Sequence, residues 1–215
     1  VGYEAIATPE SLRAYDVALK TWGTKSLAEA IQPAIQHLEQ GWQVRPHVRY
    51  FWDQHEPGGR VDHYEYLRGS PATAKIYLNA DGSKIKMGAL LKNPDLAATY
   101  RRIADVGADD FYEGEIAAKI VADMRANGGH ISAEDLKNAG PENTDLLWTD
   151  YRGYRVASCP PPGGGVMVLQ MLNILENFDL KAMGHNSPDY IRTVAEAMKI
   201  ATVDKDTSVG DPRFV

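Results

Sequence analysis

Asn93-Pro94-Asp95-Leu96-Ala97-Ala98-Thr99-Tyr100-Arg101-Arg102-Ile103-Ala104-Asp105-Val106-Gly107 carries signals for both ends of a helix. Asn93 supplies a capping side chain. Pro94 stands where a first helical residue needs no amide hydrogen, and Asp95 lies at the positive end of the helix dipole. Leu96, Tyr100 and Ile103 fall on one face, and Gly107 stops the helix. The same cap–proline–acid start recurs at Thr8-Pro9-Glu10 and at Ser187-Pro188-Asp189. The first predicts a helix with Leu12, Tyr15, Leu19 and Trp22 on one side, ended by Gly23. The second predicts a helix running toward Val203.

Other helices follow by related logic. Ser26-Leu27-Ala28-Glu29 is a capping box that opens a helix to about Gln40, and Pro33 inside it predicts a kink. Gly114 precedes a helix from Glu115 to Asn127, with Ile116, Ile120, Val121 and Met124 inward and Gly128-Gly129 closing it. Ser132-Ala133-Glu134-Asp135 starts a short one. Val166 to Asn177 is apolar nearly all round, which predicts deep burial.

Extended structure is scarcer. From Trp42 to Ser70 the helical period fades, and the segment reads as extended or loop. Lys75-Ile76-Tyr77-Leu78 and Lys84-Ile85-Lys86-Met87 flank Asp81-Gly82 and predict a hairpin. Tyr151 to Ser158 reads as a strand. Pro160-Pro161-Pro162-Gly163-Gly164-Gly165 is a stiff segment followed by a flexible one. No repeat or low-complexity linker interrupts the chain. The fold class is helix-rich α+β, with too few strands for a complete sheet of their own.

Composition narrows the function. The chain has 215 residues, 44% of them hydrophobic, enough for a sizeable core and against wholesale disorder. The net charge of -6 argues against a nucleic-acid partner. One cysteine, Cys159, excludes an internal disulfide and any multi-thiolate metal site. The most apolar stretch, Val166 to Leu175, is broken by Gln170 and Asn173 and falls short of the ~20 residues of a spanning helix. Val1-Gly2-Tyr3-Glu4 shows neither the basic nor the apolar region of a signal peptide, so a leader, if the protein has one, lies outside this chain.

Chemistry-bearing patterns are few. The chain has no G-x-S-x-G elbow, no phosphate-binding Walker loop and no H-E-x-x-H. Gly163-Gly164-Gly165 could offer backbone amides to an anion, but without a partner lysine or hydroxyl the run reads as a close turn into a buried helix. Asp53, His55, Glu56, Asp62 and His63 are metal-ligand types close in sequence, yet their spacing fits no known site and a solvated loop is the expectation. His37 and His130 read as structural or exposed. Cys159 is expected to be buried and inert rather than a reactive thiol. Trp22, Trp42, Trp52 and Trp148 are not clustered and read as packing residues.

Three stretches, in order, resemble the γ-glutamyltranspeptidase (glutathione hydrolase) family. One runs from Ala7-Thr8-Pro9 through Gly23-Thr24 and on from Leu27 to Gly41. Another joins Pro94-Asp95-Leu96-Ala97 and Ile103-Ala104 to Phe111-Tyr112-Glu113-Gly114, Ile116-Ala117, Gly128-Gly129 and Glu134-Asp135-Leu136. The third holds Tyr151-Arg152-Gly153-Tyr154, Pro160-Pro161-Pro162, Leu172-Asn173-Ile174-Leu175-Glu176 and Gly210-Asp211-Pro212-Arg213-Phe214-Val215. There are departures. Many family members have Pro-Pro-Pro-Ser-Ser-Gly-Gly where this chain has Pro160 to Gly165, and Asn138 to Trp148 fits the pattern loosely.

The resemblance implies an N-terminal-nucleophile hydrolase with an αββα sandwich, of which residues 1–215 are an incomplete, large-subunit part of a single domain. It implies a precursor that cuts itself to free a threonine nucleophile, with no cofactor and no metal. That threonine would lie beyond the Gly210 to Val215 motif, and the arginine that grips the substrate carboxylate before Val1. No residue of this chain is therefore assigned to catalysis, and its substrate-binding residues are left unassigned. The implied partners are the small subunit of the same precursor and a γ-glutamyl peptide such as glutathione, in a periplasmic or secreted setting. The alternatives are a related acylase acting on β-lactam side chains or poly-γ-glutamate, or a non-catalytic truncated chain or scaffold. The chain alone is expected to be inactive and to expose an apolar face.

Overall fold

The structure, a computed structural model, describes residues 2–55, 61–141, 144–212 and 214. By its contacts the chain divides into two compact units, Val1–Pro141 and Glu142–Val215. In the first unit, a 3-10 turn at Tyr3–Ala5 precedes α1 (Ser11–Trp22), α2 (Leu27–Gln40), α3 (Pro46–Trp52), α4 (His63–Arg68) and α5 (Pro71–Tyr77). Then come α6 (Pro94–Val106), α7 (Asp109–Glu113), α8 (Glu115–Ala126) and α9 (Ala133–Asn138). Two short strands, β1 (Trp42–Gln43) and β2 (Leu90–Leu91), pair antiparallel.

The capping residues act as their types predict. Asn93 Oδ1 accepts from the Leu96 amide at 3.1 Å. Ser26 Oγ accepts from the Glu29 amide, while the Glu29 carboxylate accepts from the Ser26 amide at 2.9 Å. Ser132 and Asp135 repeat that reciprocal pair. The first start is different: α1 begins at Ser11, and its N-cap Glu10 makes no side-chain capping bond. Helix α2 continues through Pro33.

Two stretches expected to be extended are helical. Trp42 to Ser70 contains α3 and α4, seven and six residues long, too short for a helical period to stand out. Lys75 to Tyr77 belong to α5, because Ser70-Pro71 is itself a cap-and-proline start and Ser70 Oγ accepts from the Thr73 amide at 3.5 Å. Of the expected hairpin there remain the turn, where the Gly82 amide donates to Asn79 O at 2.8 Å, and one bridge between Leu78 and Lys84.

Packing in the first unit has two centres. Helices α2 and α6 lie against one another, with Ile35, Leu38, Ala97 and Ile103 buried. Ala117, Met124, Ile131 and Leu136 form a second cluster, with Ile120 and Val121 packed on it. Between them, α6, α7 and α8 meet at the Asp110 carboxylate. It accepts from Arg102 Nε at 2.7 Å, from Arg102 Nη2 at 2.8 Å and from the Glu115 amide at 3.1 Å. The last bond caps α8 from outside its own turn. Gly114 makes room for it: a Cβ there would stand 2.2 Å from Asp110 Oδ1. Arg102 and then the amides hold the Asp110 carboxyl down to about 2, against the cost of its burial.

Helix α1 is held to this corner by Arg13. Its amide donates to the Tyr112 hydroxyl at 3.0 Å, and its guanidinium stacks 4.3 Å from the Tyr112 ring centre. Tyr112 is 1% exposed, and burial raises its hydroxyl pKa.

In the second unit β3 (Leu147–Tyr151) pairs antiparallel with β4 (Tyr154–Ser158), with Leu147 opposite Ser158 and Tyr151 opposite Tyr154. The expected single strand from Tyr151 is thus the far half of a hairpin whose turn, Arg152-Gly153, has positive φ at both residues. Then follow α10 (Gly165–Leu175), α11 (Leu180–Met183) and α12 (Pro188–Ser208). Helix α10 covers the hairpin: Thr149 Oγ1 donates to Asn173 Oδ1 at 2.5 Å, and the Arg152 amide donates to Glu176 Oε1 at 3.0 Å. Helix α12 packs along α10 and α11.

The deep burial expected of α10 is not observed. Only Gly165 and Leu169 are buried along it, and Val168 is 47% exposed. The hairpin takes one side and α12 another, which leaves Val168 uncovered.

Two outcomes test this fold. Leu136→Ala should lower unfolding free energy by about 2–5 kcal/mol in urea titrations, since a fully enclosed leucine leaves a cavity. Because Asp110 titrates below its ordinary 3.8, its contacts stabilise the fold fully above about pH 4 and are lost as pH falls through about 2. Asp110→Asn should therefore lower the urea midpoint at pH 7 and flatten its fall between pH 4 and 2 relative to the parent chain.

Candidate functional site

The metal-type residues of the first unit are engaged with other partners. Asp53 ends α3 and accepts from Lys84 Nζ and, at 2.6 Å, from Arg49 Nε. Lys84 and then Arg49 hold its carboxyl below the usual range. Arg49 also donates to Ile85 O at 2.6 Å, Tyr64 donates to Gly82 O at 2.6 Å, and Lys84 sits 4.7 Å over the Tyr64 ring. This set fastens the 79–85 turn onto α3 and α4. His55 Nδ1 lies 2.6 Å from Asp62, and His63 Nδ1 lies 2.7 Å from Phe51 O. Glu56 lies outside the described residues. Among the described residues no three His, Cys, Asp or Glu side chains gather as a metal site. His37 and His130 are exposed.

The Pro160 to Gly165 loop links β4 to α10. Its Pro161–Pro162 peptide is cis. A Cβ on Gly165 would stand 2.0 Å from Cys159 O and 2.6 Å from Ser158 Oγ, so this position tolerates no side chain. The glycines thus let the chain fold back tightly into α10, as the sequence suggested. Cys159, however, is exposed rather than buried. Strand alternation sends Ser158 toward the helix layer and the next residue away from it.

The first unit also holds a concavity that no sequence motif announces. A groove of about 890 Å³ runs between α1, α2, α6 and α7, walled by Leu12, Tyr15, Leu19, Trp22, Ile31 and Tyr100. The stripe that falls on one face of α1 in the sequence lines this groove, and Tyr15 and Trp22 stay 64% and 79% exposed. Among the described residues its side-chain polar groups are hydroxyls of Ser11, Tyr15 and Tyr100 and the Trp22 indole, which suit apolar matter and include no carboxylate, imidazole or amine. Periodicity shows that these side chains share a face, not whether another element covers it.

No nucleophile–base pair is assembled by the candidates singled out in the sequence, and chemistry does not decide this chain's kinship. Comparison with known proteins does. A profile of the Gamma-glutamyltranspeptidase family matches residues 1–215. The glutathione hydrolase proenzyme of Escherichia coli is 37% identical over 212 residues, covering 98% of this chain and 35% of that protein. The Acylase ACY 1 proenzyme of a Pseudomonas strain is 37% identical over 216 residues, covering 100% of this chain and 37% of that protein. The chain thus spans about a third of the length of these relatives. The crystal structure of Helicobacter pylori γ-glutamyltranspeptidase superposes with a TM-score of 0.89 at 32% identity, covering 100% of this chain and 59% of that one. Such neighbours are N-terminal-nucleophile hydrolases, and this helix-rich α+β chain forms part of that fold. Matched along its whole length in both sequence and structure, the chain belongs to the γ-glutamyltranspeptidase family.

Proposed function

We propose that residues 1–215 are the large-subunit part of a precursor that cleaves γ-glutamyl amides and passes the glutamyl group to water or an amine. The observation that carries this reading is the alignment of the whole chain with glutathione hydrolase proenzymes. The nucleophile is an N-terminal threonine carried by a small subunit of the same precursor, outside this chain. Its hydroxyl attacks the γ-carbonyl carbon while its α-amine takes the proton. The amide C–N bond breaks, the amine leaves with a proton, and water or a second amine then opens the ester. Backbone amides stabilise the oxyanion in both steps. In this reading the present chain supplies the scaffold, both of its compact units belong to one domain of the precursor, and γ-glutamyl peptides such as glutathione are the substrates.

A related acylase is the second reading, favoured by the equal identity to Acylase ACY 1. Chromogenic turnover by the complete precursor separates the two. Release of nitroaniline from γ-glutamyl-p-nitroanilide, faster with an added amino-acid acceptor, is expected. Cleavage of a β-lactam side-chain amide without nitroaniline release would establish the acylase instead. The 215-residue chain by itself should release none, because the nucleophile is elsewhere. Turnover by that chain, purified from a host lacking its own enzyme, would overturn the assignment.

A further inference from the structure

Asn127-Gly128 is the only Asn-Gly pair in the chain. An asparagine before glycine is prone to attack on its own side chain, because the glycine has no Cβ to shield its nitrogen. Here the pair closes α8, and the geometry of that helix end governs the attack.

Asn127 follows the last residue of α8, and Gly128 takes φ 74° to reverse the chain. The Gly129 amide then donates back to Met124 O at 2.8 Å. The carboxamide of Asn127 is held as well: Nδ2 donates to Asp123 O at 2.9 Å and to Asp123 Oδ1 at 3.2 Å. The Gly128 amide makes no hydrogen bond among the described residues. Both residues are exposed, so water reaches them. Asp81-Gly82, the corresponding aspartate pair, is tied at the nitrogen instead. There the Gly82 amide donates to Asn79 O at 2.8 Å, and Asp81 Oδ1 accepts from the Ser83 amide at 2.9 Å.

We propose that Asn127 is a site of spontaneous deamidation, gated by opening of the C-terminal end of α8. While the end is closed, the nucleophile faces away from its target. At ψ 14° the Gly128 nitrogen nearly eclipses Asn127's own amide nitrogen and is turned from its side chain. Opening frees ψ and the carboxamide together. The Gly128 nitrogen then gives its proton to hydroxide and bonds to Asn127 Cγ. The Cγ–Nδ2 bond breaks, and ammonia leaves with a proton taken from water. Water opens the cyclic imide at Cγ to give aspartate, or at the backbone carbonyl to give isoaspartate.

The product undoes the helix end that delayed it. A carboxylate at 127 only accepts, so both side-chain bonds to Asp123 are lost. It also sets a second negative charge beside Asp123 at the negative end of the helix dipole. Asp123 Oδ2 accepts from the Tyr3 hydroxyl at 2.8 Å, and Met124 beside it packs with Ile131 and Leu136. The added charge therefore bears on the attachment of the N-terminal turn and on the last turn of α8.

Timed incubation of the complete precursor at neutral pH, with mass spectrometry of the tryptic peptide 126–137, tests the proposal. Asn127 should gain aspartate and isoaspartate about 10- to 100-fold more slowly than in a synthetic peptide of residues 125–131. Asp123→Ala removes one acceptor of the carboxamide and should speed the conversion about 2- to 10-fold. Asp123→Asn keeps an oxygen there and should not. In Asn127→Asp, which supplies the product directly, the Gly129 amide should exchange about tenfold faster with deuterium. An Asn127 still intact in the precursor once the peptide is fully converted would overturn the site. Conversion at the peptide's rate, or a rate unmoved by Asp123→Ala, would overturn the gate.

Discussion

The Asp110 carboxylate holds three helices of the first unit at one point. Carried on the first turn of α7, it neutralises Arg102 of α6 and occupies the amide-rich start of α8. At 7% exposure an unpaired carboxylate there would be costly, and an unpaired Arg102 beside it would add to the cost. The geometry depends on Gly114 having no side chain. From this corner the two packing centres take their positions: α6 carries Ala97 and Ile103 toward α2, and α8 carries Ala117 and Met124 toward α9. The stretch Phe111-Tyr112-Glu113-Gly114, one of the segments that carry the family resemblance, therefore has a mechanical meaning. Tyr112 receives Arg13 from α1, and Gly114 receives Asp110.

Helix starts were legible because their chemistry is local. An asparagine or serine followed by proline, or a serine with an acid three residues on, satisfies orphan amides within its own turn, and Asn93, Ser26, Ser132 and Ser187 all do so. Strands were harder because a strand needs a partner, and nothing within the strand itself says where in the sequence that partner lies. Lys75 to Leu78 has the right residue types for a strand but begins just after a Ser-Pro helix start, and the local signal prevails. Leu147 to Tyr151 is the converse case: an unremarkable segment becomes a strand because Tyr154 to Ser158 folds back on it.

The functional reading has a similar boundary. Family membership could be read from caps, glycines and prolines because these residues determine backbone shape, and shape is what the family shares. Exposure could not be read in the same way. Cys159 was expected inside and is outside; the shared face of Leu12, Tyr15, Leu19 and Trp22 lines an open groove that its periodicity does not announce. In both cases the residue's own chemistry was identified correctly, but what packs against it is decided elsewhere in the chain. The histidine and aspartate cluster near residue 55 shows the reverse: Asp53 has the chemistry of a ligand, but Lys84, distant in sequence, neutralises it.

The Pro160 to Gly165 loop constrains how this protein can change over generations. A Cβ at position 163 would stand 2.6 Å from Cys159 Sγ, so the sulfur occupies space that a side chain at 163 would need. The two positions are coupled, although they lie four apart in a loop rather than on a helix. A serine at 163, as in the pattern common in the family, would also meet Pro160 O at 2.9 Å, so it needs the sulfur to turn aside and the loop backbone to shift. The residues at 159 and 163 are therefore expected to change together rather than singly.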